Sequence, residues 1–209
     1  MPFTLFSPTF DFRRLFEQHF AIHQEAVGLL QGICARLADA PGLCQRLQAA
    51  ADRGTVVARE VDRQLSLTLI KPLDRQDILA LNRAFEDALK SVRAAAVRLS
   101  YYHPAETTKA VRDLSGLLVE ITAAIGALLP FLGTEGSGEE QTQALQRLRQ
   151  EADAFLLVAV GELYDTPPQT LGDTVERMKW SQLYDRLEDA LDRTGQIAEV
   201  VRSIILKNV

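Results

Sequence analysis

Cysteine and aromatic residues are scarce in this sequence. The 209 residues include two cysteines, one tryptophan and 7% aromatic side chains. Two cysteines, Cys34 and Cys44, are too few for a disulfide framework. The first residues, MPFTLFSPTF, lack the basic start and the long apolar run of a signal peptide. We therefore expect a reduced, cytoplasmic protein.

Clusters of positive charge are also missing. The formal net charge is −5 and the isoelectric point is about 5.3. A nucleic-acid-binding surface needs a concentration of lysine and arginine, so no nucleic acid partner is expected.

Motifs of catalytic or cofactor sites are absent as well. The glycine-rich stretch GTEGSG at 133–138 does not continue into the GK[ST] of a phosphate-binding loop. His19 and His23 have the spacing at which two imidazoles reach one cation, but no glutamate follows His19 and no third ligand can be assigned. Neither cysteine has a histidine or basic neighbour in sequence that would mark a nucleophile. No catalytic residue, no cofactor-binding residue and no enzyme activity are predicted.

One stretch is apolar enough to raise the question of a membrane span. Leu114 to Leu132 contains a single charge, Glu120. A carboxylate in the middle of a span costs about 2.5–3.5 kcal/mol on insertion scales. A buried bundle helix is therefore expected, and the protein is at most peripheral to a membrane.

What the sequence has in abundance is helical periodicity. Apolar residues recur at spacings of three and four in segments that begin near Phe12, Leu43, Asp74, Ala105, Glu139 and Leu171. In the second segment the predicted buried seam is narrow and partly made of small residues: Leu47, Ala50, Gly54, Val57, Val61, Leu65 and Thr68. No stretch alternates apolar and polar residues for long enough to predict a strand. The fold class predicted is all-α, with six long helices.

Prolines and short turns divide these helices. In TLIKPLDRQDILAL, from Thr68 to Leu81, Pro72 stops one helix and Asp74 is placed to cap the next. The DAPG turn, Asp39 to Gly42, is expected to separate the first two helices. The YYHP break, residues 101–104, leaves three helices on either side. We predict a single domain of two antiparallel three-helix bundles, which are pseudo-repeats at about 1–104 and 105–209.

Three stretches carry a resemblance to a known family. These are TLIKPLDRQDILAL, EADAF at 151–155, and the ending KWSQLYDRLEDALDRTGQIAEVVRSIILK. They resemble the PhoU-like phosphate-transport regulators, in the branch associated with Pit-type low-affinity phosphate transporters. The resemblance implies two related three-helix bundles. It also implies carboxylate pairs spaced E-x-x-x-D that collect iron or zinc.

This sequence departs from that metal-binding pattern. Four residues apart on a helix, side chains differ by about 40° in direction and can share a cation. The expected pairs fall on Ala51 and Thr55, Glu86 and Lys90, Arg149 and Asp153, and Glu188 and Asp192. Only the last pair is intact. Asp52 lies about 100° round the helix from Ala51 and is not expected to replace it.

The basic residues suggest what has taken the place of metal. We expect the first-half site to be metal-free and held by Glu86 and Lys90. Arg149 is expected to bridge to Glu188 or Asp192. A weak second-half site for iron or zinc, built from Asp153, Glu188 and Asp192, is left open.

Two functions remain in view. The first is a cytoplasmic, non-enzymatic regulator or accessory of inorganic phosphate transport, which contacts an inner-membrane transporter or its signalling apparatus. The apolar residues Phe3, Leu5 and Phe6 are candidates to anchor a partner or a second copy in a homodimer. The second is a metal-binding protein or metal-dependent hydrolase that uses the second-half carboxylates.

Overall fold

The computed structural model of the chain describes residues 11–68, 73–102, 104, 106–132, 136 and 138–207. Within these ranges there are six α-helices and no strand, so the predicted all-α class is confirmed. The helices are α1 (Phe12–Ala35), α2 (Ala40–Leu67), α3 (Arg75–Tyr102), α4 (Lys109–Leu128), α5 (Glu139–Tyr164) and α6 (Leu171–Lys207). Short 3₁₀ turns at Leu37–Asp39 and Leu129–Phe131 follow α1 and α4. The predicted GTEGSG loop and the residues Phe3, Leu5 and Phe6 fall largely or wholly outside the described ranges.

The helices form two three-helix bundles that share one core. Helices α1, α2 and α3 pack on one another, and α4, α5 and α6 do the same. Between the bundles, α3 lies along α6 and α1 lies along α4. The buried residues of both bundles make one continuous apolar cluster. The predicted bundle architecture is confirmed, whereas the idea that the halves are pseudo-repeats stays a prediction.

The narrow seam of α2 explains how closely α2 approaches α3. All seven residues predicted for the seam are buried. A Cβ placed on Gly54 would lie 2.3 Å from Cδ2 of Leu89 on α3. The missing side chain therefore permits the contact, as expected where small residues line a helix interface.

Local capping sets where α3 and α4 begin. The backbone N–H of Gln76 donates to Oδ1 of Asp74 at 2.7 Å, which confirms Asp74 as the N-cap of α3. Pro72 lies outside the described residues. Helix α4 begins at Lys109, after Thr108, whose hydroxyl oxygen accepts from the N–H of Val111 at 3.2 Å. The predicted start near Ala105 is wrong, because the threonine cap determines the first turn.

The start of α2 also differs from the prediction. Ala40, Pro41 and Gly42 belong to the first turn of α2 rather than to a separating turn. Proline is compatible with the first helical turn, where its missing N–H has no intrahelical acceptor in any case. At the other end α2 stops at Leu67, and Thr68 is extended.

Helices α5 and α6 continue past the end of the other four helices. Near that end the other helices contact α5 and α6 through Lys109 Nζ, 5.8 Å from the ring centre of Phe155, and through the Thr108 and Tyr184 hydroxyls, 3.2 Å apart. Arg98 on α3 also donates to Gln182 on α6 at 2.8 Å. No residue from 160 to 182 is buried. Met178, predicted as part of the core stripe of α6, is 57% exposed. That prediction is wrong because the stripe runs beyond the helices that would cover it.

Helix α4 and the turn after it, Lys109–Phe131, form the one stretch of the described residues that could cross a membrane by length and composition, with a mean hydropathy of 1.8. Half of its most apolar window is buried. As predicted for a bundle helix, it packs against α1, α5 and α6.

Candidate functional site

The structure brings the four first-half family positions together in one cleft. Ala51 and Thr55 on α2 face Glu86 and Lys90 on α3 across a cleft of about 200 Å³. The remaining wall is formed by Gln48, Asp52, Gly54, Leu89 and Arg93. The cleft is therefore where the resemblance places the first metal site, but its lining is mixed in charge.

Most polar side chains of this cleft have partners within the protein. Lys90 Nζ lies 3.3 Å from Oδ1 of Asp87 and 3.9 Å from Oε1 of Glu86. Asp87, the residue next to the predicted partner, is thus the nearer of the two. The Thr55 hydroxyl donates to the carbonyl oxygen of Ala51 at 3.1 Å. The predicted Glu86 and Lys90 pair exists, but it is the longer of two ion pairs made by the lysine.

A second set of contacts crosses the cleft. Arg93 Nη1 on α3 donates to Oε1 of Gln48 on α2 at 2.9 Å, and Gln48 Nε2 donates to Oδ1 of Asp52 at 2.8 Å. Asp52 therefore does reach the cleft wall, although it points away from the position of Ala51. The 100° between Asp52 and Ala51 on the helix does not keep Asp52 out of the cleft, because the lining is broad enough to include both residues.

In the second half Arg149 occupies the groove between α5 and α6. Its guanidinium forms an ion pair with Glu199 and lies 3.8 Å from Oδ1 of Asp192. The side chain passes over Gly195, where an added Cβ would be 2.9 Å from Cζ of Arg149. The predicted bridge to Asp192 is present at ion-pair distance. Glu199, the shorter contact, is 50 residues from Arg149 and carried no local sequence signal.

Glu188 lies among other carboxylates. Its pKa is raised by partial burial, and further by the negative charges of Asp192, Asp185 and Asp153. The three predicted second-half residues, Asp153, Glu188 and Asp192, therefore share one region of negative potential. In the described part of the chain, however, no group of three or more histidine, cysteine, aspartate or glutamate residues is arranged to hold a metal ion.

The donor set does not fit the metal clusters that the resemblance implies. In the first half the family positions supply one carboxylate, and the ammonium of Lys90 lies 3.9 Å from it. In the second half Arg149 is already within ion-pair distance of Asp192. A cation beside either basic group would meet repulsion as well as attraction. Whether any metal binds the second half stays a prediction.

The two histidines of α1 lie in the core rather than on a surface. His19 and His23 are fully buried, and the ring of His19 stacks on Phe85 at 4.9 Å. His23 Nε2 lies 3.3 Å from Oγ1 of Thr194, while His23 Nδ1 and both nitrogens of His19 find no hydrogen-bond partner among the residues that the structure describes. Burial lowers the pKa of His19 to about 4 and that of His23 to about 3, where the neighbouring His19 adds to the effect. Both rings are thus held neutral at neutral pH.

The cysteines are poor nucleophiles. Burial raises the pKa of Cys34 to about 12, and burial also raises the pKa of Cys44. A thiol with a raised pKa is protonated at neutral pH, and only the thiolate attacks. The Cys44 thiol points to the carbonyl oxygen of Ala96 at 3.7 Å.

Comparison with solved structures identifies the class of fold. A crystal structure described as a PhoU-like protein from Shewanella oneidensis MR-1 superposes with a TM-score of 0.72 and 15% identity, covering 93% of this chain and 99% of that one. A second structure from the same organism, described as a putative PhoU-like phosphate regulatory protein, gives a TM-score of 0.71 with the same identity and coverage. The fold is that of PhoU-like proteins.

Sequence comparison points to a particular branch. The chain is 22% identical over 198 residues to a "Putative pit accessory protein" of Rhizobium meliloti, covering 91% of this chain and 92% of the relative. It is 20% identical over 148 residues to the UPF0111 protein YkaA of Bacillus subtilis, with 70% of each chain covered. No family model matches the chain. The predicted resemblance to PhoU-like proteins of the Pit accessory branch is confirmed.

Proposed function

We propose that this protein is a non-enzymatic accessory or regulator of inorganic phosphate transport. It acts in the cytoplasm by contact with an inner-membrane phosphate transporter or its signalling apparatus. The observation that carries the proposal is the similarity to the Pit accessory protein along nearly the full length of both chains. The protonated cysteines, the buried neutral histidines and the ion-paired cleft support a binding role, since none of them supplies a nucleophile or a general base.

Phosphate uptake tests this proposal. Purified protein is added to the outside of inside-out membrane vesicles that contain a Pit-type transporter, where it meets the cytoplasmic face, and transport of radiolabelled phosphate is measured with and without it. We expect a change in transport rate that is absent from vesicles lacking the transporter. Unchanged uptake, together with no co-purification of the transporter, would contradict the proposal.

The same proposal includes a metal-free first-half cleft. Lys90 and Arg93 supply positive charge at the place where the resemblance implies a cation. Elemental analysis of protein purified without chelators is the test. Stoichiometric iron or zinc in both halves would contradict the metal-free interpretation.

A metal-binding or metal-dependent hydrolytic role is the alternative. The repulsion of Glu188 by Asp153, Asp185 and Asp192 favours it, because a bound cation would relieve that repulsion. A ligand that binds only the folded state raises the melting temperature. If zinc or ferrous iron raises the melting temperature of the natural protein but not that of Glu188→Ala, the alternative is supported.

A further inference from the structure

The α5–α6 hairpin, residues 156–182, lies at the end of the molecule, where Leu156 and Ala159 are still buried and the residues from 160 onwards project. At its base Phe155 meets Lys109 and Tyr184 meets Thr108. Arg98 on α3 still reaches Gln182, and from there α6 extends back to Leu171 beside α5, a length of about 18 Å of helix. No residue from 160 to 182 is buried, so this part of the chain contributes little to the core.

The hairpin is nevertheless held together by contacts of its own. Thr170 and Asp173 form a reciprocal capping box, in which the N–H of Asp173 donates to Oγ1 of Thr170 at 3.1 Å and the N–H of Thr170 donates to Oδ2 of Asp173 at 2.9 Å. Arg177 lies 5.3 Å from the ring centre of Tyr164, the last residue of α5, and donates to the carbonyl oxygen of Thr166 in the connection that follows. These contacts fix the two helices as a preformed surface, which lowers the entropy cost of binding.

Exposed apolar side chains are concentrated on this hairpin. Among the described residues eleven large hydrophobic side chains are exposed, and six of them lie between 157 and 178: Leu157, Val158, Tyr164, Leu171, Val175 and Met178. Leu171, Val175 and Met178 follow one another at the spacing of a single helical face. Leu171 is 81% exposed. A stripe that continues a core pattern into solvent indicates a contact surface.

The hairpin carries more negative than positive charge. Residues 156–182 contain four carboxylates, Glu162, Asp165, Asp173 and Glu176, and two basic residues, Arg177 and Lys179. Lys179 is already paired with Glu176 at 2.6 Å. Such a surface repels anionic lipid headgroups and attracts a basic partner.

We propose that the hairpin docks on a lysine- and arginine-rich cytoplasmic surface of an integral membrane protein, with Leu171, Val175 and Met178 as the apolar anchors. This inference rests on the proposed function, which supplies a transporter as the partner. Cytoplasmic loops of membrane proteins carry an excess of lysine and arginine, so the charge of the hairpin is complementary to that side of a transporter. The apolar stripe provides affinity, while the carboxylates favour fast and correctly oriented encounter.

Binding to inside-out vesicles tests the hairpin directly. One set of vesicles contains a Pit-type phosphate transporter and a matched set lacks it. The triple variant Leu171→Ser, Val175→Ser, Met178→Ser removes the anchors, and Glu162→Lys with Asp165→Lys reverses the charge. We expect each variant to bind the transporter vesicles at least about tenfold more weakly than the natural protein. The matched control is Val56→Ser with Leu67→Ser on α2, which are 65% and 63% exposed and should leave binding unchanged.

The outcomes separate the two proposals. If the natural protein binds neither set of vesicles and leaves phosphate uptake unchanged, the proposed function fails, and the docking inference with it. If the natural protein binds but both hairpin variants bind equally well, the inference alone is overturned. Undiminished binding to protein-free vesicles of phosphatidylglycerol and phosphatidylethanolamine, or dimers that the triple variant dissociates in analytical ultracentrifugation, would also overturn it by showing that lipid or a second copy covers the stripe. Circular dichroism and melting temperature verify that the variants fold.

Discussion

At the scale of single residues, the buried histidines determine how stability depends on pH. His19 and His23 have pKa values of about 4 and about 3 in the folded protein, whereas an unfolded chain returns them to about 6.5. Below about pH 6.5 the unfolded state therefore binds more protons than the folded state. Stability is lost as the pH falls from there towards the folded-state values.

We expect the free energy of unfolding to fall by about 4 kcal/mol between pH 7.5 and pH 5, about 2 kcal/mol for each histidine. Urea unfolding at several pH values measures it. The double variant His19→Leu, His23→Leu is expected to have a much flatter profile over the same range. Parallel profiles for the natural protein and the variant would contradict this assignment.

Residue-level prediction from sequence was most reliable where the cause is local. The α2 seam, from Leu47 to Thr68, was predicted in full because burial on a helix repeats with the helical period. The Asp74 cap was predicted because a cap acts within its own turn. The nearer partner of Arg149 could not be found this way, because Glu199 meets it only through the packing of α5 on α6, although the longer pair with Asp192 was predicted.

At the scale of elements, one glycine controls how closely α2 and α3 pack. A Cβ on Gly54 would lie 2.3 Å from Leu89 Cδ2, in a fully packed region. Gly28 on α1 is exposed and has nothing within 4 Å of its added Cβ. Alanine is therefore expected to have opposite effects on stability at these two glycine positions.

We expect Gly54→Ala to lower the free energy of unfolding by about 1–3 kcal/mol, because overpacking outweighs the better helix propensity of alanine. Gly28→Ala is expected to raise it by about 0.5–1 kcal/mol, through propensity alone. Chemical denaturation of both variants provides the comparison. If alanine raised the free energy of unfolding equally at both positions, the close approach of α2 to α3 at Gly54 would not limit stability.

The capping box of α6 should protect the hairpin without stabilising the core. Thr170→Ala removes the acceptor for the N–H of Asp173, at a cost of about 1 kcal/mol to the first turn. Hydrogen exchange is expected to accelerate in residues 168–178 and to stay unchanged in the buried stretch of α3. Faster exchange throughout the chain would mean that the hairpin and the bundle unfold together.

At the scale of the whole molecule, the two bundles are joined by contacts along α6. Arg98 on α3 donates to Gln182 at 2.8 Å, His23 on α1 meets Thr194 at 3.3 Å, and Lys207 pairs with Asp77 on α3 at 2.6 Å. These contacts span α6 from the base of the hairpin to its end. Neither bundle could open along this interface without exposing shared apolar surface.

We therefore expect one cooperative unfolding transition for the whole chain. Differential scanning calorimetry is the measurement, with equal calorimetric and van't Hoff enthalpies as the criterion. Two resolved transitions would indicate that the bundles are independent domains.

The sequence does not show at which residue of α6 the other helices cease to cover its apolar face. Met178 continues the pattern of Leu183 and Leu187, yet only the latter two are buried. Periodicity shows which face of a helix is apolar, but the neighbours that cover that face depend on the lengths of other helices. The same limit hid the α5–α6 hairpin, although its run of carboxylates was visible in the sequence.

The 37-residue length of α6 has a mechanical consequence. An unbroken helix of that length is about 55 Å long. Its first residue, Leu171, is exposed, whereas its last residue, Lys207, is paired with Asp77 on α3. Any tilt imposed on the tip must be absorbed by sliding against α3 or relayed to the opposite pole. Helix α6 therefore links the exposed end of the hairpin mechanically to the opposite end of the bundle.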